Sequence, residues 1–97
     1  YDKKGVKKFI KANILDILIN YVKLLDKNKN ILDSIKDIEN ITKPFIEKNN
    51  LKFPQFFQPI RIALTGKTQA PSVYDIIYIL GINESSKRIY DAIQQNF

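Results

Sequence analysis

Arg61, Thr65, Lys67, Thr68, Gln69 and Ser72 fall close together in the chain, within or just beyond the segment from Pro59 to Pro71. None is a nucleophile with a base beside it. They are the cationic and hydroxylic groups that bind an anion or the polar edge of a base. If the helix that starts after Ser72 has its first turn uncovered, its unpaired N–H groups point at such a ligand. Arg61 lies off the apolar face formed by Ile60, Ala63 and Leu64. A guanidinium so placed stacks on an unpaired base or forks onto phosphate. Structural uses stand beside these. Arg61 could be an internal strut paired with Asp75 or Glu84, and Pro71 with Ser72 could be helix-start chemistry alone. Tyr74 and Tyr78 read as core residues with hydroxyls at the edge, or as stacking platforms. Lys87 and Arg88 read as a solvated helix face.

Composition narrows the chemistry further. The 97 residues include neither cysteine nor histidine, which removes thiolate nucleophiles, Ser-His-Asp triads and Cys- or His-ligated metals. Carboxylates are scattered, and Gly5, Gly66 and Gly81 form no glycine-rich phosphate loop. A self-contained active site is therefore not expected. Sixteen basic against ten acidic residues leave a net charge of +6, which favours a polyanionic partner. Lys3, Lys4, Lys7, Lys8 and Lys11 supply much of it and read as a solvated face. The Lys, Asn and Ile bias is that of an AT-rich genome and discounts part of that charge as a sign of function. The chain opens at Tyr1 and contains no methionine, as a piece of a longer protein would. No apolar stretch approaches the roughly 18–20 residues of a membrane span.

The elements that must position these residues are helices. Val6, Ile10, Ile14, Leu18, Tyr21 and Leu25 recur at spacings of three and four, predicting a helix over 5–26 and a polar loop over 26–30. Ser34 stands three residues before Asp37 as a capping pair. Pro44 lacks an N–H, so the helix it interrupts is expected to restart with Thr42 as its cap and to run to about Asn49. Pro59 disfavours a helical Gln58, which predicts a turn over 53–57 and a helix from Pro59 to Thr65, ended by Gly66. Ser72 and Asp75 pair as a second capping box for a helix over 73–80, apolar nearly all round and so expected at the domain centre. Gly81 stops it. Asn83 is expected to cap a last helix over 84–95. The chain reads as one all-α domain over 1–97.

Several of these segments together resemble a known family. Pro59-Ile60-Arg61-Ile62-Ala63-Leu64-Thr65-Gly66, then Ala70-Pro71-Ser72-Val73-Tyr74-Asp75, then Ile79-Leu80-Gly81 and Arg88-Ile89 are similar, in order and spacing, to the C-terminal end of bacterial-type glutamyl-tRNA synthetases. The match is strongest over 51–93. The resemblance implies a compact, cage-like, multi-helix anticodon-binding domain that carries no catalytic site and no cofactor. Upstream, the parent class I enzyme would join glutamate to tRNA with ATP and Mg²⁺. The implied partner is tRNA(Glu), the compartment the cytoplasm, and the fragment a monomer without metal or membrane. By motif, Arg61 takes the place of the arginine near the anticodon, and Ala70, Pro71, Ser72 and Val73 that of the loop and helix start contacting its second and third bases. Lys67, Thr68 and Arg88 are candidate phosphate contacts. Ala70 stands where some members have threonine, and Ser72 where glycine is common, so contacts there would run through backbone groups. The competing expectation is a helical interaction domain that binds protein or duplex DNA.

Overall fold

The computed structural model describes residues 12–67 and 72–95, with residues 12 and 13 described as backbone only. The first helix, α1, spans Ala12–Asn28. Ile14, Leu18, Tyr21, Val22 and Leu25 form its buried stripe. The helix outlasts the expected stop at Asp26. Asn28 donates its side-chain amide to the Leu24 carbonyl at 2.9 Å, satisfying one of the orphan acceptors of the last turn. A 3-10 turn over Lys29–Ile31 follows. The expected part of this helix before residue 12 lies outside the described residues, as does the Lys3–Lys11 cluster.

Helix α2 spans Ile35–Lys48, and Ser34 caps it as expected, its hydroxyl accepting from the Asp37 N–H at 3.1 Å. The Asp37 carboxylate reaches back to the Asp33 N–H at 3.0 Å, one residue before the cap. The expected restart at Pro44 does not occur, because Pro44 sits inside one continuous helix. Ile38, Thr42 and Ile46 are all buried at a spacing of four, and that stripe outweighs one lost backbone hydrogen bond. Thr42 is therefore not a cap. Its hydroxyl donates to the Ile38 carbonyl at 2.6 Å and is bonded to the Tyr21 hydroxyl at 2.8 Å.

Helix α3 spans Phe53–Thr65 without the expected break at Pro59. Pro54 falls in the first turn, where a missing N–H leaves nothing unpaired. Pro59 is itself buried, in line with Phe56, Ile60, Ala63 and Leu64. Packing again overrides the local preference of the residue before proline. The Lys52 N–H is met by the Gln55 side-chain oxygen at 2.8 Å. Gly66 ends the helix at φ 78°, donating to the Ile62 carbonyl at 2.7 Å. Only glycine takes that backbone conformation without strain.

Helix α4 spans Val73–Leu80 and α5 spans Ile82–Gln94. The limits of α4 are as predicted, and the apolar run is helix rather than strand. Two details differ. Ser72 occupies the cap position without a side-chain bond to the helix. The helix is also not central on every side, since Tyr78 is half exposed and Ile79 is 79% exposed while Val73, Ile76 and Ile77 face the core. Gly81, at φ 86°, both closes α4 and precedes α5, so the last helix starts at Ile82, two residues before the expected start at Glu84. Helix α5 packs on α1, α3 and α4, and α2 packs on α4. The core gathers Leu18, Tyr21, Leu25, Ile38, Phe56, Ile60, Ile77 and Ile89.

Candidate nucleic-acid interface

Phe53, Phe57, Arg61 and Thr65 stand four residues apart along α3 and therefore share one ridge of that helix. The Phe53 and Phe57 rings are stacked, with centroids 5.8 Å apart and planes 25° from parallel. The Arg61 guanidinium carbon lies 6.0 Å from the Phe57 ring centroid, over its face. Phe57 meets Tyr74, in the first turn of α4, edge-on at 5.5 Å. That contact brings the α3 ridge to the start of α4. Thr65 closes the ridge by donating to the Arg61 carbonyl at 2.8 Å and accepting from the Lys67 N–H at 3.1 Å.

Two polar atoms on this edge lack partners. The Nε of Arg61 and the Oε1 of Gln58 are both buried and unbonded. Arg61 pairs with neither Asp75 nor Glu84, since the ion pairs among the described residues are Lys36–Glu39, Lys43–Glu39 and Arg88–Glu84. A buried donor and a buried acceptor without bonds are costly unless something else satisfies them. Tyr74 is half-buried, and desolvation, helped by the charge of Glu39, pushes its hydroxyl pKa up.

The other sequence-predicted residues fall into three groups. Lys67 and Ser72 are exposed at the two sides of the α3–α4 connection. Val73 is 2% exposed, its side chain in the core, so it offers only backbone at the helix start. The first α4 hydrogen bond runs from the Ile76 N–H to the Ser72 carbonyl at 3.0 Å, which leaves the N–H groups ahead of it without helical acceptors. Thr68, Ala70 and Pro71 lie outside the described residues. Arg88 is engaged within the protein: its Nε donates to Glu84 and its NH1 to the Leu64 carbonyl, each at 2.8 Å. It braces α5 against the end of α3, and this hydrogen bond holds the Glu84 carboxyl below its usual range.

Sequence reasoning missed Phe53, Phe57 and Gln58. For Phe53 and Phe57 the signal was present, as a spacing of four leading to Arg61, but a break at Pro59 hides it by placing them on a separate turn. Among the described residues no group of three His, Cys, Asp or Glu is placed to hold a metal ion.

The fold and this edge define an all-helical module whose distinctive surface is a cation over an aromatic ring. The model of the anticodon binding domain family matches residues 1–93, and the chain belongs to that family. It is 63% identical over its full length to glutamate–tRNA ligase 1 of Aliarcobacter butzleri, of which it covers 21%. It is 44% identical to glutamate–tRNA ligase 2 of Campylobacter fetus subsp. fetus over 92% of the chain and 19% of the relative. Against glutamate–tRNA ligase of Geotalea uraniireducens the identity is 36%, over 96% of the chain and 20% of that protein. The chain thus spans about a fifth of the length of the curated relatives it matches. No solved structure matches it.

Proposed function

We propose that this chain is the anticodon-reading part of a cytoplasmic glutamate–tRNA ligase and that its partner is tRNA(Glu). Glutamate activation, with ATP and Mg²⁺, belongs to the rest of that enzyme. The observation that carries the reading is the Arg61 guanidinium held over Phe57, with its Nε and the Gln58 oxygen both unpartnered. Anticodon bases are single-stranded and splayed, so they stack on aromatic and guanidinium planes and expose their polar edges. The Phe53–Phe57–Arg61 ridge supplies the planes. Backbone N–H groups of Ser72 and Val73 supply fixed donors at the start of α4, and Ala70 and Pro71 precede them in the motif. Lys67 and Thr68 add salt-dependent attraction to phosphate. Arg88 acts as a brace that positions the end of α3.

The test is titration of an anticodon stem–loop into the chain, followed by amide shifts. Shifts centred on residues 57–75, and weaker binding of a stem–loop with a scrambled anticodon, support the reading. Equal binding of both stem–loops, or effective competition by duplex DNA, overturns it in favour of a general helical interaction domain.

A further inference from the structure

A second surface lies between α1 and α5. A groove of about 370 Å³ has Ile19 and Val22 on its floor, Lys23 and Asp26 on the α1 rim, and Lys87 and Tyr90 on the α5 rim. Tyr90 is 49% exposed there. Ser86 also lines the groove, is 6% exposed, and has a buried hydroxyl with no partner. Neither Lys23 nor Lys87 takes part in an ion pair among the described residues. Lys87 is one position round α5 from Arg88, whose NH1 reaches α3, so the groove lies apart from the Arg61 edge.

We infer that this groove holds a stretch of ribose–phosphate backbone of the bound RNA, outside the anticodon bases. The inference rests on the RNA-binding reading above. Lys23 and Lys87 face the phosphate. Tyr90 and the apolar floor take the carbon face of a ribose. Charge complementarity favours RNA over an apolar protein segment: two unpaired cations flank a narrow apolar floor on a chain of net charge +6. Asp26 is the carboxylate on the rim, and it opposes the phosphate.

The experiment measures binding of a labelled anticodon stem–loop at several salt concentrations. Lys23→Gln and Lys87→Gln are each expected to reduce the slope of log K against log salt by about 1. Asp26→Asn is expected to tighten binding about 1.5- to 5-fold, the range of an exposed charge interaction. None of these variants should alter discrimination between matched and scrambled anticodons. If the parent discriminates but both lysine variants keep its slope, the groove inference is wrong and the anticodon reading stands. If the parent fails to discriminate while the slopes still fall, the groove stands and the anticodon reading does not.

Discussion

Two aromatic clusters sit side by side on α3 and differ in what surrounds their polar atoms. Inside, Phe56 meets Tyr21 edge-on at 4.8 Å and Phe45 at 5.8 Å. The single hydroxyl there, on Tyr21, is bonded to Thr42, which is in turn bonded to the α2 backbone. Outside, Phe57 packs between Phe53 and Tyr74, and Arg61 over it keeps an unbonded Nε. Adjacent residues of one helix thus serve opposite ends. The satisfied cluster has nothing left to offer a ligand and holds the fold. The unsatisfied one leaves hydrogen-bonding capacity unused within the described residues.

Substitutions should separate the two clusters. The largest expected effect is that of Phe56→Ala, which opens a cavity at a residue of 0% exposure and costs about 3–5 kcal/mol, read as a lowered denaturant midpoint. Against a typical stability of about 5–15 kcal/mol, that removes much of the total. Arg61→Ala should do the reverse. Its unfolding midpoint should stay near that of the parent while stem–loop binding weakens by about 1–3 kcal/mol, or roughly 5- to 150-fold. Arg61→Lys should not restore binding, because an ammonium has no plane to stack. A midpoint that collapses with Arg61→Ala would move Arg61 into the structural cluster and end the contrast.

Arg88→Ala should cost about 1 kcal/mol of stability through the lost bond to the Leu64 carbonyl, with a smaller loss of binding than Arg61→Ala. Tyr21→Phe should also cost about 1 kcal/mol, since Thr42 keeps its bond to Ile38. Tyr21 carries a pH signature as well. Burial pushes its hydroxyl pKa up, so the neutral form is favoured in the folded state. The associated stability is fully present below the unfolded tyrosine value of about 10 and is lost as pH rises beyond it. Alkaline melting curves of Tyr21→Phe should therefore fall less steeply than those of the parent. At the acid end, Lys43 holds Glu39, and Arg88 holds Glu84, below the usual carboxylate range. Both carboxylates are partly exposed, so the stability lost as pH falls through their lowered values is expected to be the smallest of these effects and to shrink further with salt.

Much of this was open to reading from residue order. The amphipathic stripes, the Ser34 cap, the Gly66 and Gly81 stops and the limits of α4 all follow from local rules. The family was legible by resemblance instead, because the segment from Pro59 to Gly66 and those after it keep the order and spacing of known members. The misreadings cluster at proline. Pro44 and Pro59 each remove one donor, a local cost that argues for a break. Each lies in a helix whose buried residues, Ile38 to Ile46 and Phe56 to Leu64, are aligned only if the helix continues. That alignment depends on what lies opposite, which no window of sequence contains. Losing the break at Pro59 is also what joins Phe53 and Phe57 to Arg61.

By its sequence alone the chain was bound to be helical, cationic and without thiol or imidazole chemistry, because composition and periodicity act residue by residue. Which arginine would be tied and which left open was settled by the tertiary structure. Arg61 and Arg88 carry the same side chain. Arg88 finds a carboxylate one turn away and a carbonyl across the helix interface, whereas Arg61 finds an aromatic face and no acceptor for its Nε. A hydrogen bond requires a partner at the right distance and angle, and only the packing of helices distant in sequence brings one there.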